Sequence, residues 1–153
     1  TAAFEFSASF FRARGLDSNN GSILINGIEM NKVFTGRPQW SNWGGINDVL
    51  RNQELTLGLA PSNYNFGGVL GTTNINVRAS QSRPGGRITY SSSNRSYTNR
   101  LMATYASGML KNDWAYTISF GRRWGNEGYQ DATSYSSNSL FVSVEKKIND
   151  SIV

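Results

Sequence analysis

The stretch Tyr64-Asn-Phe-Gly-Gly-Val-Leu-Gly-Thr-Thr-Asn-Ile-Asn-Val-Arg-Ala-Ser80 divides the chain into two parts of different character. Its three glycines, Gly67, Gly68 and Gly71, predict a tight loop, because glycine reaches positive φ and lets other backbone approach closely. A glycine loop that binds phosphate precedes a helix. Here the following residues alternate as in a half-buried strand, so a nucleotide site is not expected; the members of one face are Val69, Thr73, Ile75 and Val77.

Composition excludes several classes of functional site. The 153 residues include no cysteine and no histidine. Disulfides are therefore excluded, and zinc, haem and Ser-His or Cys-His catalysis would lack their usual ligands and bases. The net charge of +5 could indicate nucleic acid, but the arginines are scattered and no recognition-helix pattern accompanies them. We therefore expect no nucleic-acid partner. The chain opens on Thr1 without a signal peptide, which predicts a mature or excised fragment.

The first half of the chain predicts a mixed α+β segment. Short alternating runs favour strands, Asn-Gly pairs favour turns between them, and two tryptophans lie in a glycine-punctuated loop. The predicted elements, in order, are a strand over 1–14, a turn at Asn19–Gly21, a strand over Ser22–Ile28 with a turn at Asn26–Gly27, an irregular loop over Phe34–Gly45, a short helix over Ile46–Gln53 and a strand over Glu54–Leu59.

The second half predicts four long antiparallel strands, which begin after a linker at residues 81–86. A tight turn is expected at Lys111–Asp113 and a polar loop over 125–138. The third strand alternates most clearly, with small or hydroxyl residues at 115, 117, 119 and 121, and large apolar ones on the other side: Trp114, Tyr116, Ile118 and Phe120.

This alternation has two interpretations. A transmembrane β-barrel presents apolar and aromatic side chains to lipid and small or polar ones to its interior, with aromatic residues near the strand ends. A soluble β-sandwich also alternates, because one face packs on a core, but such a core brings large groups together. The small inward residues favour the barrel. The chain has no run near the roughly 18 apolar residues of a transmembrane helix. This absence is no evidence against a β-barrel, whose strands cross a membrane with alternating side chains.

Three motifs in series resemble the plug domain of TonB-dependent outer-membrane receptors, especially the nutrient transporters of Bacteroidota. The resemblance covers about residues 4–80 and departs from the family in two places: Asn26 stands where aspartate is commoner, and the usual Gly-Pro pair is stretched to Gly58-Leu59-Ala60-Pro61. The motifs are Phe11-Arg12-Ala13-Arg14-Gly15, the strand and turn Ile23 to Asn31, and the closing pattern of Gly58, Pro61, Phe66-Gly67-Gly68, Gly71 and Thr73 to Val77.

The resemblance implies a β-rich fold, a partial transmembrane antiparallel β-barrel preceded by a mixed α+β plug segment. Residues 1–80 would be the C-terminal part of the plug, 81–86 a linker, and 87–153 the first four barrel strands. The implied function is import of a nutrient ligand through a plugged barrel, energised by TonB, with no enzymatic activity and no cofactor or metal. Implied partners are TonB through a missing N-terminal segment, outer-membrane lipid, the remainder of the barrel and, as a further candidate, a surface lipoprotein.

Candidate ligand contacts on the plug are Arg37, Trp40, Trp43 and Tyr64, since aromatic platforms and arginine forks suit glycans or peptides. Arg12 and Arg14 are candidate ties between plug and barrel. The alternatives are that the tryptophans pack the loop onto its own domain and that the arginines are solvated or paired. A soluble carbohydrate-binding module that uses Trp40, Trp43 and Trp124 is the rival function. No carboxylates pair in a glycosidase motif.

Overall fold

The computed structural model describes residues 12–93, 97–127 and 131–148. The chain divides into two compact units. The first takes the described residues of Thr1–Asn42 and Leu50–Asn76, and the second those of Trp43–Val49 and Val77–Val153. Each unit contains one four-stranded sheet, so the β-rich prediction is confirmed. In the described part of the chain, no helix is long and apolar enough to cross a membrane.

The sheet of the first unit is mixed and has the strand order β2-β1-β4-β3. Its strands are β1 (Ser22–Ile25), β2 (Ile28–Glu29), β3 (Gln53–Thr56) and β4 (Thr72–Ile75). The central strands β1 and β4 are parallel, and the two outer pairings are antiparallel. The buried apolar residues of this unit are therefore concentrated on and beside the central pair: Ile23, Leu24, Leu50 and Ile75.

The predicted turn at Asn26–Gly27 is confirmed and interrupts the predicted strand Ser22–Ile28. Both residues have positive φ, 49° and 82°, as a two-residue hairpin turn between β1 and β2 requires. Glycine is also required here by space, because a Cβ at position 27 would lie 2.7 Å from Cδ1 of Tyr64. The glycine-rich loop followed by a strand is confirmed as well, with β4 beginning directly after Gly71.

Two predicted elements of the first half are wrong in type or length. Residues 46–52 form no helix: 47–49 are a turn, closed by the backbone bond from Val49 N to Ile46 O (3.0 Å), and the others are irregular. A helix of eight residues is marginal on its own, and Asn47 and Asp48 take tertiary hydrogen bonds instead. The strand predicted over Glu54–Leu59 runs only over Gln53–Thr56, because the chain turns at Gly58, where φ is 63°.

Some predictions concern residues before position 12, which lie outside the described part of the chain. The strand predicted over 1–14 lies almost wholly in the undescribed part of the chain. The segment predicted as its hairpin turn, Asn19–Gly21, overlaps a short 3-10 turn at Ser18–Asn20, which the Asp17 side chain caps through Asn19 N. The loop predicted over Phe34–Gly45 is confirmed as irregular, with one 3-10 turn at Trp40–Asn42.

The sheet of the second unit is a four-stranded antiparallel meander in the order β5-β6-β7-β8. The strands are β5 (Gly85–Ser92), β6 (Asn99–Ala106), β7 (Trp114–Gly125) and β8 (Tyr135–Lys146). The four predicted strands and the turn at Lys111–Asp113 are confirmed. The polar loop is shorter than the predicted 125–138, because β8 already begins at Tyr135. The predicted linker, residues 81–86, overlaps the first residues of β5.

The two faces of this sheet differ in chemistry and in exposure. On β7, Ala115, Thr117 and Ser119 are buried, with 3% exposure or less, whereas Ile118 and Phe120 are 45% exposed. We call the first side the covered face, because residues 43–49 and the 3-10 turn Ala79–Gln81 lie on it. The other side, the apolar face, is exposed and carries Ile88, Tyr90, Leu101, Tyr105, Trp114, Ile118, Phe120, Leu140, Val142 and Val144.

Candidate functional site

Arg37, one of the predicted ligand contacts, already has an acidic partner in the first unit. Its Nη2 donates to Asp17 Oδ2, and both side chains remain partly exposed. This hydrogen bond holds the pKa of the Asp17 carboxyl below its ordinary value, aided by the Asn19 backbone N–H and by the charge of Arg12. Arg37 could bind an anionic ligand only in competition with Asp17, so its role as a ligand contact stays a prediction.

Tyr64 lines a small polar pocket in the first unit, of about 110 Å³. Asn74 is one of its lining residues; its Oδ1 accepts from Gly27 N (3.1 Å) and its Nδ2 donates to Glu54 Oε2 (3.5 Å). The pocket is too small for a sugar ring, since ligand pockets usually exceed about 300 Å³. Tyr64 is 53% exposed and could contact a larger ligand from outside. The pocket is lined by Glu54, Thr56, Pro61, Ser62, Asn63, Tyr64, Thr72 and Asn74.

The two tryptophans predicted as ligand contacts differ in exposure and belong to different compact units. Trp40 is 39% exposed and belongs to the first unit, whereas Trp43 is 5% exposed and belongs to the second. The burial of Trp43 agrees with the alternative in which such residues pack the loop. Contact of either ring with a ligand stays a prediction.

Arg12 and Arg14, the predicted ties between plug and barrel, are exposed: Arg12 directly precedes the 3-10 turn Ala13–Gly15 and Arg14 is its middle residue. Arg14 has a positive φ of 52°. Their function as ties between plug and barrel stays a prediction.

The closest packing in the second unit occurs where residues 43–49 cross the covered face. A Cβ on Gly45 would lie 1.8 Å from Ser139 Oγ, and a Cβ on Gly121 would lie 2.7 Å from the Gly45 carbonyl oxygen. Backbone therefore touches backbone here, which only glycine and small neighbours allow. The small residues of β7 and β8 are thus explained by the segment that lies on them.

Polar bonds fix the same segment to β6. Thr104 Oγ1 on β6 lies 3.5 Å from Asp48 Oδ2 and 2.6 Å from Ser119 Oγ on β7. These contacts link the segment of residues 43–49 to both strands. Arg100 Nη2 donates to the Gly44 carbonyl (3.3 Å), and the Asn47 amide, whose nitrogen donates to the same carbonyl, accepts from Arg100 Nη1 (3.2 Å).

A second attachment lies at the other end of the covered face. Glu145 on β8 accepts two bonds from Arg78, at 3.1 Å from Nε and 2.6 Å from Nη2, and a third from Ser80 N at 3.0 Å. The Glu145 side chain is 10% exposed, so this ion pair is largely shielded from water. It holds the chain just before β5 against the last strand of the sheet.

Arg123 occupies the covered face near the end of β7. Its guanidinium carbon lies 5.7 Å from the ring centre of Tyr97 and 5.6 Å from that of Tyr135, and Nη2 lies 3.4 Å from Ser137 Oγ. The alternation of the sequence places Arg100 and Glu145 on the polar sides of their strands, but it assigned no contact to either and did not single out Arg123 or Asp48.

Aromatic residues beside cations mark both ends of the apolar face. Lys146 Nζ lies 5.2 Å from the ring centre of Trp114 at one end, and the guanidinium carbon of Arg122 lies 5.6 Å from that of Trp124 at the other. Between them, the rings of Tyr105 and Tyr116 pack at a tilt of 38° with their centres 5.9 Å apart. This is the order of side chains expected where an apolar surface meets two aqueous boundaries.

Comparison with known proteins adds no family assignment. No family model matches the sequence, and no curated protein is significantly similar to it. Within the described ranges, no three acidic, histidine or cysteine side chains come together as metal ligands would. The functional interpretation therefore depends on the geometry of the two units.

Proposed function

We propose that this chain is part of a TonB-dependent outer-membrane receptor, and that β5–β8 form a section of its barrel wall. The observation that carries the proposal is the inverted sheet of the second unit. Its large apolar side chains are exposed, and its small and hydroxyl side chains are buried. A protein in water would bury the first set. In a membrane the exposed set faces lipid.

The length of the apolar face supports a membrane-spanning role. Trp114 and Trp124 are ten residues apart on β7 and lie on the same face. At about 3.3 Å per residue the strand rises about 33 Å between them, and a tilt of about 45° reduces this to about 23 Å. Outer-membrane barrels carry an apolar band about 25 Å tall between two aromatic girdles.

The covered face supports a plugged interior. Residues 43–49 and 77–81 lie on it through glycine contacts and ionic or polar bonds, as a plug would lie against the inside of a wall. In the proposed receptor, TonB acts through an N-terminal segment to move the plug and admit a nutrient, and a surface lipoprotein remains a candidate partner. Arg12 and Arg14 are candidate ties to the wall, while Arg37, Trp40, Trp43 and Tyr64 are candidate ligand contacts.

The proposal requires further strands. Four strands cannot close a barrel, because outer-membrane barrels have about 8 or more, and open edges in hydrocarbon leave N–H and C=O groups unsatisfied. The rest of the wall must come from elsewhere in the same protein. A soluble carbohydrate-binding sandwich, the rival function, is disfavoured because it would bury the large side chains of the apolar face.

Tryptophan fluorescence in vesicles of brominated phospholipid tests the proposal. Trp114 and Trp124 should be quenched by the bromine atoms, and Trp43 should not. Replacing Trp114 or Trp124 by phenylalanine should therefore lower the lipid-quenchable share of the emission, while the control Trp43→Phe should not lower it. In cells, the protein should fractionate with the outer membrane and cross-link to TonB. Quenching of Trp114 and Trp124 by aqueous iodide instead of lipid would contradict the proposal.

A further inference from the structure

Two arginines of the covered face stand directly opposite each other. Arg100 on β6 and Arg123 on β7 are ladder partners, so their Cα atoms lie about 4.5–5.5 Å apart and their side chains leave the sheet on the same side. Like charges at such positions repel each other. Arg100 is 5% exposed, which removes most of the water that would weaken this repulsion.

The bonds that these two guanidinium groups make are to neutral atoms. Arg100 bonds the Gly44 carbonyl, the Asn47 amide and Met102 Sδ (2.9 Å), and Arg123 bonds Ser137 Oγ. Among the described residues, neither arginine bonds a carboxylate. Within the described ranges, the buried Nε–H groups of Arg100 and Arg123 have no hydrogen-bond acceptor.

Three acidic side chains of the same unit bond other groups. Asp48 bonds Thr104, and Glu145 bonds Arg78 and Ser80. Glu127 lies beyond the end of β7, where its carboxylate accepts from Ala132 N (3.5 Å). Asp48 is a buried carboxylate of the same face, but neither guanidinium is bonded to it or to another carboxylate among the described residues of the second unit. Burying guanidinium groups without a bonded carboxylate is costly, and an added anion could bond both.

We propose that Arg100 and Arg123 form a binding site for a small-molecule oxyanion, namely a carboxylate or phosphate group of a ligand. Two guanidinium forks match the oxygen geometry of either group. The rings of Tyr97 and Tyr135 hold one fork in place before the ligand arrives. Arg123 is half-buried and lies two residues from the end of β7, so it is the more accessible of the two arginines.

This site is independent of the proposed transport function, because it uses contacts within the second unit alone. It also differs from the candidate ligand contacts named from the sequence, none of which is Arg100 or Arg123. In a receptor, it would give the covered face a preference for acidic ligands.

Calorimetric titration of the protein in detergent with inorganic phosphate, and separately with succinate, tests the site. Both probes should bind saturably. Arg100→Gln and Arg123→Gln should each weaken binding by about tenfold or more, the loss expected for one charge-assisted hydrogen-bonding group. The matched control is Arg122→Gln, which removes the same charge one residue away on the opposite face and should change the affinity by less than about twofold.

Two further variants separate binding from folding. Arg123→Lys keeps the charge but loses the fork, so its affinity should fall between those of the parent and Arg123→Gln. Each variant should unfold in detergent with the same cooperative thermal transition as the parent. Because Arg100→Gln removes a buried charge and can shift this transition, its affinity is measured at a temperature below its own midpoint. Absence of saturable binding to the parent, or equal loss in Arg122→Gln, overturns the proposal. Lipid quenching of Trp114 is unaffected by either outcome, so failure here is distinguishable from failure of the membrane assignment.

Discussion

At the scale of single residues, the pair Asp17 and Arg37 makes the first unit sensitive to acid. The hydrogen bond from Arg37 lowers the pKa of Asp17 in the folded chain below its ordinary value of 3.8. A carboxyl group with a lowered pKa stabilises the fold above its unfolded pKa, and this contribution is lost as the pH falls through the folded pKa. We expect Arg37→Gln to raise the pKa of Asp17 toward 3.8 and to reduce the loss of stability at acid pH.

Nuclear magnetic resonance titration of the Asp17 carboxyl carbon measures this pKa directly. Arg83→Gln is the matched control, because it removes an exposed arginine of the second unit. It should leave the titration of Asp17 unchanged. An Asp17 pKa that is the same in the parent and in Arg37→Gln would show that the ion pair does not form in solution.

At the scale of elements, the sheet of the second unit has room for added bulk on its apolar face and none where residues 43–49 cross its covered face. Gly121 faces the Gly45 carbonyl oxygen at a distance that leaves no room for a methyl group, whereas a Cβ on Gly86 of β5 would meet only Tyr105 Cδ2 at 3.9 Å. Gly121→Ala should therefore lower the free energy of unfolding by about 1–3 kcal/mol, the usual cost of overpacking. Gly86→Ala should cost less. Denaturant unfolding in detergent measures both, and equal effects would mean that residues 43–49 do not lie on β7.

The elements also show what the sequence could and could not predict. Period-two alternation located β5–β8 and their two faces, because side chains on a strand alternate whatever lies against them. The helix predicted over Ile46–Gln53 failed, because bonds from Asn47 and Asp48 to β6 decide that segment and are invisible locally. A turn centred on Asn112 would pair Arg100 with Trp124. The observed register is shifted by one, so the Arg100–Arg123 pair could not be found without the structure.

At the scale of the whole molecule, the apolar face predicts a dependence of stability on membrane depth. Ile118 lies near the middle of this face, and Asn138 lies on the same face toward one end, opposite Arg122 in the ladder. In a lipid bilayer, Ile118→Arg should cost about 2–4 kcal/mol and Asn138→Arg about 0–1 kcal/mol. In water, both positions are exposed, and surface substitutions usually change stability by no more than about 0.5 kcal/mol.

Reversible denaturant unfolding of the protein in phospholipid vesicles measures this difference, with the same two variants in detergent micelles as a comparison. The two variants add the same charge on the same face, so net charge does not distinguish them. Repulsion between Arg122 and the arginine introduced at its ladder partner, position 138, would raise the cost of Asn138→Arg and so act against the expected order. A larger cost at Ile118 is therefore expected only if depth in hydrocarbon dominates. A cost at Ile118 no greater than that at Asn138 would place the apolar face in contact with something other than lipid, such as another protein surface, and would remove the main support for the transporter.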